Sequence, residues 1–94
     1  MLYFRRVEGA SMMPTLRPGQ TVIVMMSRSF RVGDIVVAFV NRKEVIKRIT
    51  DMKNGTLYLE GDNKDHSTDS RNYGWVQDRH IIGKVIFPRL SKSK

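Results

Sequence analysis

Residues 35–60 read IVVAFVNRKEVIKRITDMKNGTLYLE, and the two breaks in this stretch decide the fold. Ile35-Val36-Val37-Ala38-Phe39-Val40 is almost continuously apolar and β-branched, which suits a strand covered on both faces. Asn41-Arg42-Lys43 is a link short enough for a hairpin, so Glu44-Val45-Ile46-Lys47-Arg48-Ile49-Thr50 is expected to return antiparallel to it. Asn54-Gly55 is the strongest short hairpin signal in the chain, because a type I′ turn needs positive φ at both central residues. It leads into Thr56-Leu57-Tyr58-Leu59-Glu60, so the stretch is read as a three-stranded meander.

Upstream, Val32-Gly33-Asp34 reads as a turn and Gln20–Met26 as another β-branched strand. That strand follows Arg17-Pro18-Gly19, whose Pro and Gly suit the second and third positions of a type II turn. Downstream, residues 61–73 are dominated by Gly, Asp, Asn, Ser, Thr and Arg, which cannot bury a core and read as a long ordered loop. His80–Phe87 is the last strand, stopped by Pro88. No internal repeat, low-complexity linker or amphipathic helix is visible. The expectation is an all-β fold, a small coiled sheet or barrel, with residues 1–88 as a single core and residues 89–94 as a basic, solvated tail.

A chain of 94 residues buries somewhat over ~60% of its unfolded surface, enough for one modest core. The absence of cysteine excludes disulfides and thiolate metal sites, and His66 and His80 cannot by themselves build a His-rich metal site, so no metal or cofactor is expected. No apolar run approaches the ~20 residues of a membrane-spanning helix, and no signal peptide is apparent. If the chain is complete as written it is expected to be cytoplasmic; an anchor ahead of it would make it membrane-associated. The net charge of +8 suits contact with nucleic acid or with anionic lipid heads at a membrane surface. The basic residues are spread along the chain, so a solvated basic surface accounts for the charge taken alone.

Two residues stand out chemically. Ser11 lies among Glu8-Gly9-Ala10-Ser11-Met12-Met13-Pro14-Thr15-Leu16, a segment with neither helical nor strand periodicity, and is either a loop-capping hydroxyl or a nucleophile on a tight bend. Lys47 is the lone charge on its strand face, between Val45 and Ile49. It either snorkels to water or is desolvated, and a desolvated lysine becomes a neutral amine able to act as a general base. A serine nucleophile is activated by such a lysine or by a histidine in a triad, for which only His66 and His80 are available.

Four blocks in order resemble the signal peptidase I family of serine-lysine peptidases: Gly9–Leu16, Gly33–Val36, Ile46–Ile49, and Gly61-Asp62-Asn63 followed by Ser67, Asp69-Ser70-Arg71 and Tyr73-Gly74. Ile82–Val85 resembles the family's last strand. The LexA-type repressors share the Ser-Met-x-Pro element and the strand lysine but not the last block. The resemblance implies that Ser11 is the nucleophile and Lys47 the general base, that Ser67 orients the lysine amine, and that Asp69 and Arg71 form a structural ion pair. It also implies that Met12 and Pro14 fix the turn and line the site, and that the Ser11 N–H donates to the oxyanion. The implied substrate is a precursor protein bound as an extended strand and losing an N-terminal pro- or signal segment, with small residues before the cut and no nucleic acid involved.

The chain departs from the pattern at Gly9, where some members carry a second oxyanion-donating hydroxyl, and at Gly19-Gln20, where Gly-Asp is general. The link from the lysine strand to Gly61 is short, where larger members insert a second β-domain. This form most resembles the branch that matures nickel-type superoxide dismutase. The rival reading is a basic β-barrel that stacks nucleic-acid bases on Tyr3, Phe4, Tyr58, Tyr73 and Trp75.

Overall fold

The computed structural model describes residues 1–88. The tail expected over residues 89–94 lies outside the described residues. The elements are β1 (Leu2–Arg6), β2 (Thr21–Met25), β3 (Ile35–Val40), β4 (Lys43–Lys53), β5 (Thr56–Glu60), α1 (Ser70–Tyr73), β6 (Val76–Gln77) and β7 (Ile81–Phe87). They form one sheet in the order β1-β2-β7-β3-β4-β5-β6, antiparallel at every pairing. The all-β expectation holds, and the meander is its centre.

Both predicted hairpins form for the reason given by their sequences. Asn41 and Arg42 adopt φ of 52° and 67°, and Asn54 and Gly55 adopt 50° and 77°, so each two-residue turn has the positive φ pair that matches strand twist. Gly19 has φ of 88°, and the Gln20 N–H donates to the Arg17 carbonyl at 3.1 Å, closing the turn before β2. β3 is buried on both faces. Ile35 and Val37 join Val7, Met12, Leu16, Val22 and Val24 on one side, while Val36 and Ala38 join Ile49, Leu57, Leu59, Val76 and Ile81 on the other.

Several elements differ from the expectation. β4 runs to Lys53, beyond Thr50, and a register shift between Ile49 and Asp51 lets it bend while still pairing with β5. β6 is two residues long and carries no periodic signal; it exists because Leu57 has an unpaired edge against which Val76 docks. The loop at 61–73 contains a 3-10 turn at Lys64–His66, closed by the His66 N–H donating to the Asn63 carbonyl at 3.0 Å, and the single turn α1, held by its Asp69 cap; neither has an apolar stripe.

Candidate active site

The loop carrying Ser11 joins β1 to β2 and is held at several points. The Met13 N–H donates to the Ala10 carbonyl at 3.2 Å and the Leu16 N–H to the Met12 carbonyl at 2.9 Å, which winds residues 10–16 into a tight bend. Met12 and Leu16 are fully buried and fasten the bend to the core. The Asn63 N–H donates to the Ser11 carbonyl at 2.8 Å, and Asn63 Nδ2 donates to the Ala10 carbonyl at 3.0 Å. Asp62 accepts from Thr15 and from both Nε and Nη2 of Arg48, at 2.9 and 2.8 Å. The segment 61–63 is therefore a clamp between the serine bend and β4.

Glycine is required at 61 by close approach. A Cβ there would come within 2.6 Å of the Ser11 carbonyl oxygen and would overlap the Ser67 hydroxyl. Asn63 and Gly61 had no role assigned from the sequence. The spacing of Gly61-Asp62-Asn63 drew notice only through the family pattern, since a backbone-to-backbone clamp leaves no periodic trace.

Lys47 lies on β4 opposite Val36 of β3 and is 5% exposed, so it does not snorkel. Its Nζ donates to Ser67 Oγ at 3.1 Å, and Ser67 Oγ donates onward to Asp69 Oδ2 at 2.6 Å. Asp69 is fully buried and also accepts from the Gly61 N–H at 2.8 Å, and from Arg71 Nε at 3.0 Å and Nη2 at 3.1 Å. It caps α1 as well, in a reciprocal arrangement with Asn72. Ser67 is thus saturated toward Asp69 and presents a lone pair to the lysine.

Burial holds the Lys47 amine below its ordinary value; the Asp69 charge opposes this, and the charges of Lys43 and Arg71 add to it. For Asp69 burial pushes the other way, but the Arg71 guanidinium, the Ser67 hydroxyl and the Gly61 N–H prevail and hold its carboxyl well below the usual range. Asp69 is therefore a fixed anion at neutral pH. Burial, with Asp69 beside it, pushes the Tyr73 hydroxyl up to about 12.

Ser11, Met12 and Lys47 line one open cleft of about 950 Å³, together with Arg5–Ala10 of β1 and its exit, Lys43–Ile46 of β4, His66 and Tyr73. Pro14 is the exception among the expected lining residues. It belongs to the bend through its cis peptide with Met13, but it is exposed and lies outside the cleft, because the bend carries the chain away after Met12. His66 is exposed and lines the cleft, a placement its sequence setting did not reveal; His80 sits elsewhere, beside the Phe39 carbonyl at 3.3 Å. Among the described residues no three His, Cys, Asp or Glu side chains gather to hold a metal ion.

The family model described as Peptidase S24-like matches residues 1–86. The chain belongs to this family. The peptidase is 36% identical over 106 residues to mitochondrial inner membrane protease subunit 1 of Schizosaccharomyces pombe, covering 84% of this chain and 68% of that one. It is 29% identical over 138 residues to signal peptidase I of Bacillus caldolyticus, covering 86% and 75%, and 30% identical over 120 residues to mitochondrial inner membrane protease subunit 2 of Danio rerio, covering 94% and 66%. Against signal peptidase I of Buchnera aphidicola the matched part spans 18% of that protein's length. These relatives place the S24-like peptidase with the signal peptidase I family, as the resemblance implied. No helix among its described residues is long and apolar enough to cross a membrane.

Proposed function

We propose that the chain is a serine endopeptidase in which Ser11 attacks the scissile carbonyl and the Lys47 amine takes its proton. The observation that carries this reading is the Lys47 Nζ, buried in the cleft that Ser11 lines and bonded to the Ser67–Asp69 pair. A neutral amine has two N–H groups and one lone pair. Giving one N–H to Ser67 fixes the amine's orientation and leaves the lone pair for the serine hydroxyl. The Ser11 Oγ–carbon bond forms as the carbonyl opens to a tetrahedral oxyanion. On its collapse the peptide C–N bond breaks and the lysine gives its proton to the leaving amine, and water, deprotonated by the same lysine amine, then hydrolyses the acyl-enzyme. The Ser11 N–H would donate to the oxyanion; Gly9 supplies no hydroxyl, so the second donor is backbone or water.

The substrate in this reading is a precursor that loses an N-terminal pro- or signal segment. It binds extended, adding a strand along the cleft-facing edges of β1 and β4. A nickel superoxide dismutase precursor is the first candidate, supported by the two-residue link between β4 and β5, which leaves the core without an inserted domain. Peripheral membrane contact is supported by exposed Leu2, Phe4 and Phe87 on a chain of net charge +8. The base-stacking alternative has less support, because Tyr58 and Trp75 pack on each other edge to face at 5.1 Å. Mass spectrometry of precursors incubated with the wild type and with Ser11→Ala tests the proposal. Cleavage at one site by the wild type alone is the expected result, and cleavage that survives in a protease-free Ser11→Ala preparation overturns it.

A further inference from the structure

In the sheet order β1 and β4 are not neighbours, and no ladder joins them. The sheet curls until their side chains meet across the cleft. Arg5 of β1 donates from Nε to Glu44 Oε1 at 2.7 Å and from Nη2 to Oε2 at 3.1 Å, a bidentate ion pair with both partners lining the cleft. The guanidinium is oriented by two further contacts on its own strand: Nη1 donates to the Phe4 carbonyl at 3.0 Å, and the group stacks over the Tyr3 ring at 4.4 Å. An exposed pair gains little when two flexible side chains must be ordered to make it. Here the arginine is already ordered, so the pair keeps more of its Coulomb energy.

The two strands it joins carry the open edges of the sheet beside the site. Among the described residues β1 pairs only with β2. β4 pairs with β3 from Lys43 to Arg48, but its ladder with β5 begins at Arg48, so among the described residues nothing pairs with the second backbone edge of Lys43–Lys47. An extended peptide lying between two edges needs twice the interstrand spacing, roughly 10 Å. An arginine and a glutamate joined through their heads can cross that span.

We propose that the Arg5–Glu44 pair is a strut that sets the two walls of the cleft one strand-width apart, making Arg5 and Glu44 positioning residues for the peptide substrate. The proposal deepens the peptidase reading and rests on it. The strut touches no reacting atom, so its loss weakens binding and leaves the chemical step alone.

The chain has no cysteine, so spin labels can be attached uniquely at Arg6→Cys and Lys43→Cys, exposed positions on opposite walls. Label-to-label distances by electron paramagnetic resonance should broaden in Arg5→Gln and in Glu44→Gln. In unlabelled protein each of these changes should raise KM about two- to fivefold with kcat unchanged. The double variant should be no worse than either single, and the exchanged pair Arg5→Glu with Glu44→Arg should regain both the narrow distribution and the low KM. An unchanged distribution, independent additive effects, or a loss confined to kcat overturns the strut. A fall in KM overturns it too, since the pair would then be a bar across the cleft. The distance measurement requires no cleavage: a wild type that cuts nothing sinks the peptidase reading, while the label distances still decide whether the pair spaces the walls.

Discussion

Arginine and lysine share a charge and much of their length but differ in the property a base needs, since arginine does not deprotonate. Lys47→Arg should therefore fold and lose at least about 100-fold in activity, the low end of what a positioned base contributes. In the wild type, activity should rise with pH through the lowered value of the amine, because the deprotonated form is the reactive one. Cleavage rates from pH 5 to 9 on both proteins check this. Substantial activity in Lys47→Arg, or a flat alkaline limb in the wild type, would move the search for a base to His66, the histidine that lines the cleft. Asp69 acts through other groups. Asp69→Ala leaves the Ser67 hydroxyl and the buried Gly61 N–H without their acceptor, while Arg71 keeps the Lys64 carbonyl and solvent, and should cost about 1–3 kcal/mol, measured by urea unfolding.

The clamp at 61–63 makes its own prediction at the level of elements. Gly61→Ala drives a methyl into the Ser11 carbonyl and the Ser67 hydroxyl and should cost about 1–3 kcal/mol. Asn63→Ala removes the side-chain bond to the Ala10 carbonyl, costing about 1 kcal/mol, while the displaced serine bend should slow cleavage about tenfold or more. Thermal melts and kcat measured side by side separate the two losses; a kcat equal to wild type in Asn63→Ala would show that the clamp does not position Ser11. The strands with β-branched runs and the two Asn-initiated hairpins were legible in the sequence because their signal is local: period, turn chemistry and β-branching lie within a few residues. β6 was not, since two residues carry no period. Ser11 and Lys47 were legible as oddities of pattern, a serine in an aperiodic bend and a charge on an apolar face. The Ser67–Asp69–Arg71 chain came through family resemblance, and the Arg5–Glu44 contact, 39 positions apart in sequence, through neither.

For the molecule as a whole, the buried groups tie stability to pH. Asp69 and Asp62 are held below their unfolded values, so the unfolded state binds more protons, and their contribution, present above about pH 4, is lost as pH falls through the folded values. Lys47 is also lowered, so the unfolded state again binds the extra proton, and stability climbs from the folded value toward the ordinary lysine value. Tyr73 reverses the slope above about pH 10, since there the folded state keeps the proton longer. Lys47→Met should accordingly be more stable than the wild type at neutral pH, with the gap narrowing as pH rises toward the ordinary lysine value of about 10.4, as read from urea midpoints. A gap that is constant with pH would mean that the lysine is as easily charged when folded as when unfolded. The β4–β5 turn matters at this scale too. Its two residues, Asn54 and Gly55, join strand ends already held side by side, and Asn54 and Lys53 are exposed. The tip is thus a port at which foreign sequence can be spliced in for little more than loop entropy. Ten flexible residues between Asn54 and Gly55 should cost about 1.5 kcal/mol and spare cleavage, whereas the same graft between Gly61 and Asp62 should abolish it. A whole module could be carried at that port, as cargo on a catalytic core that does not register its presence.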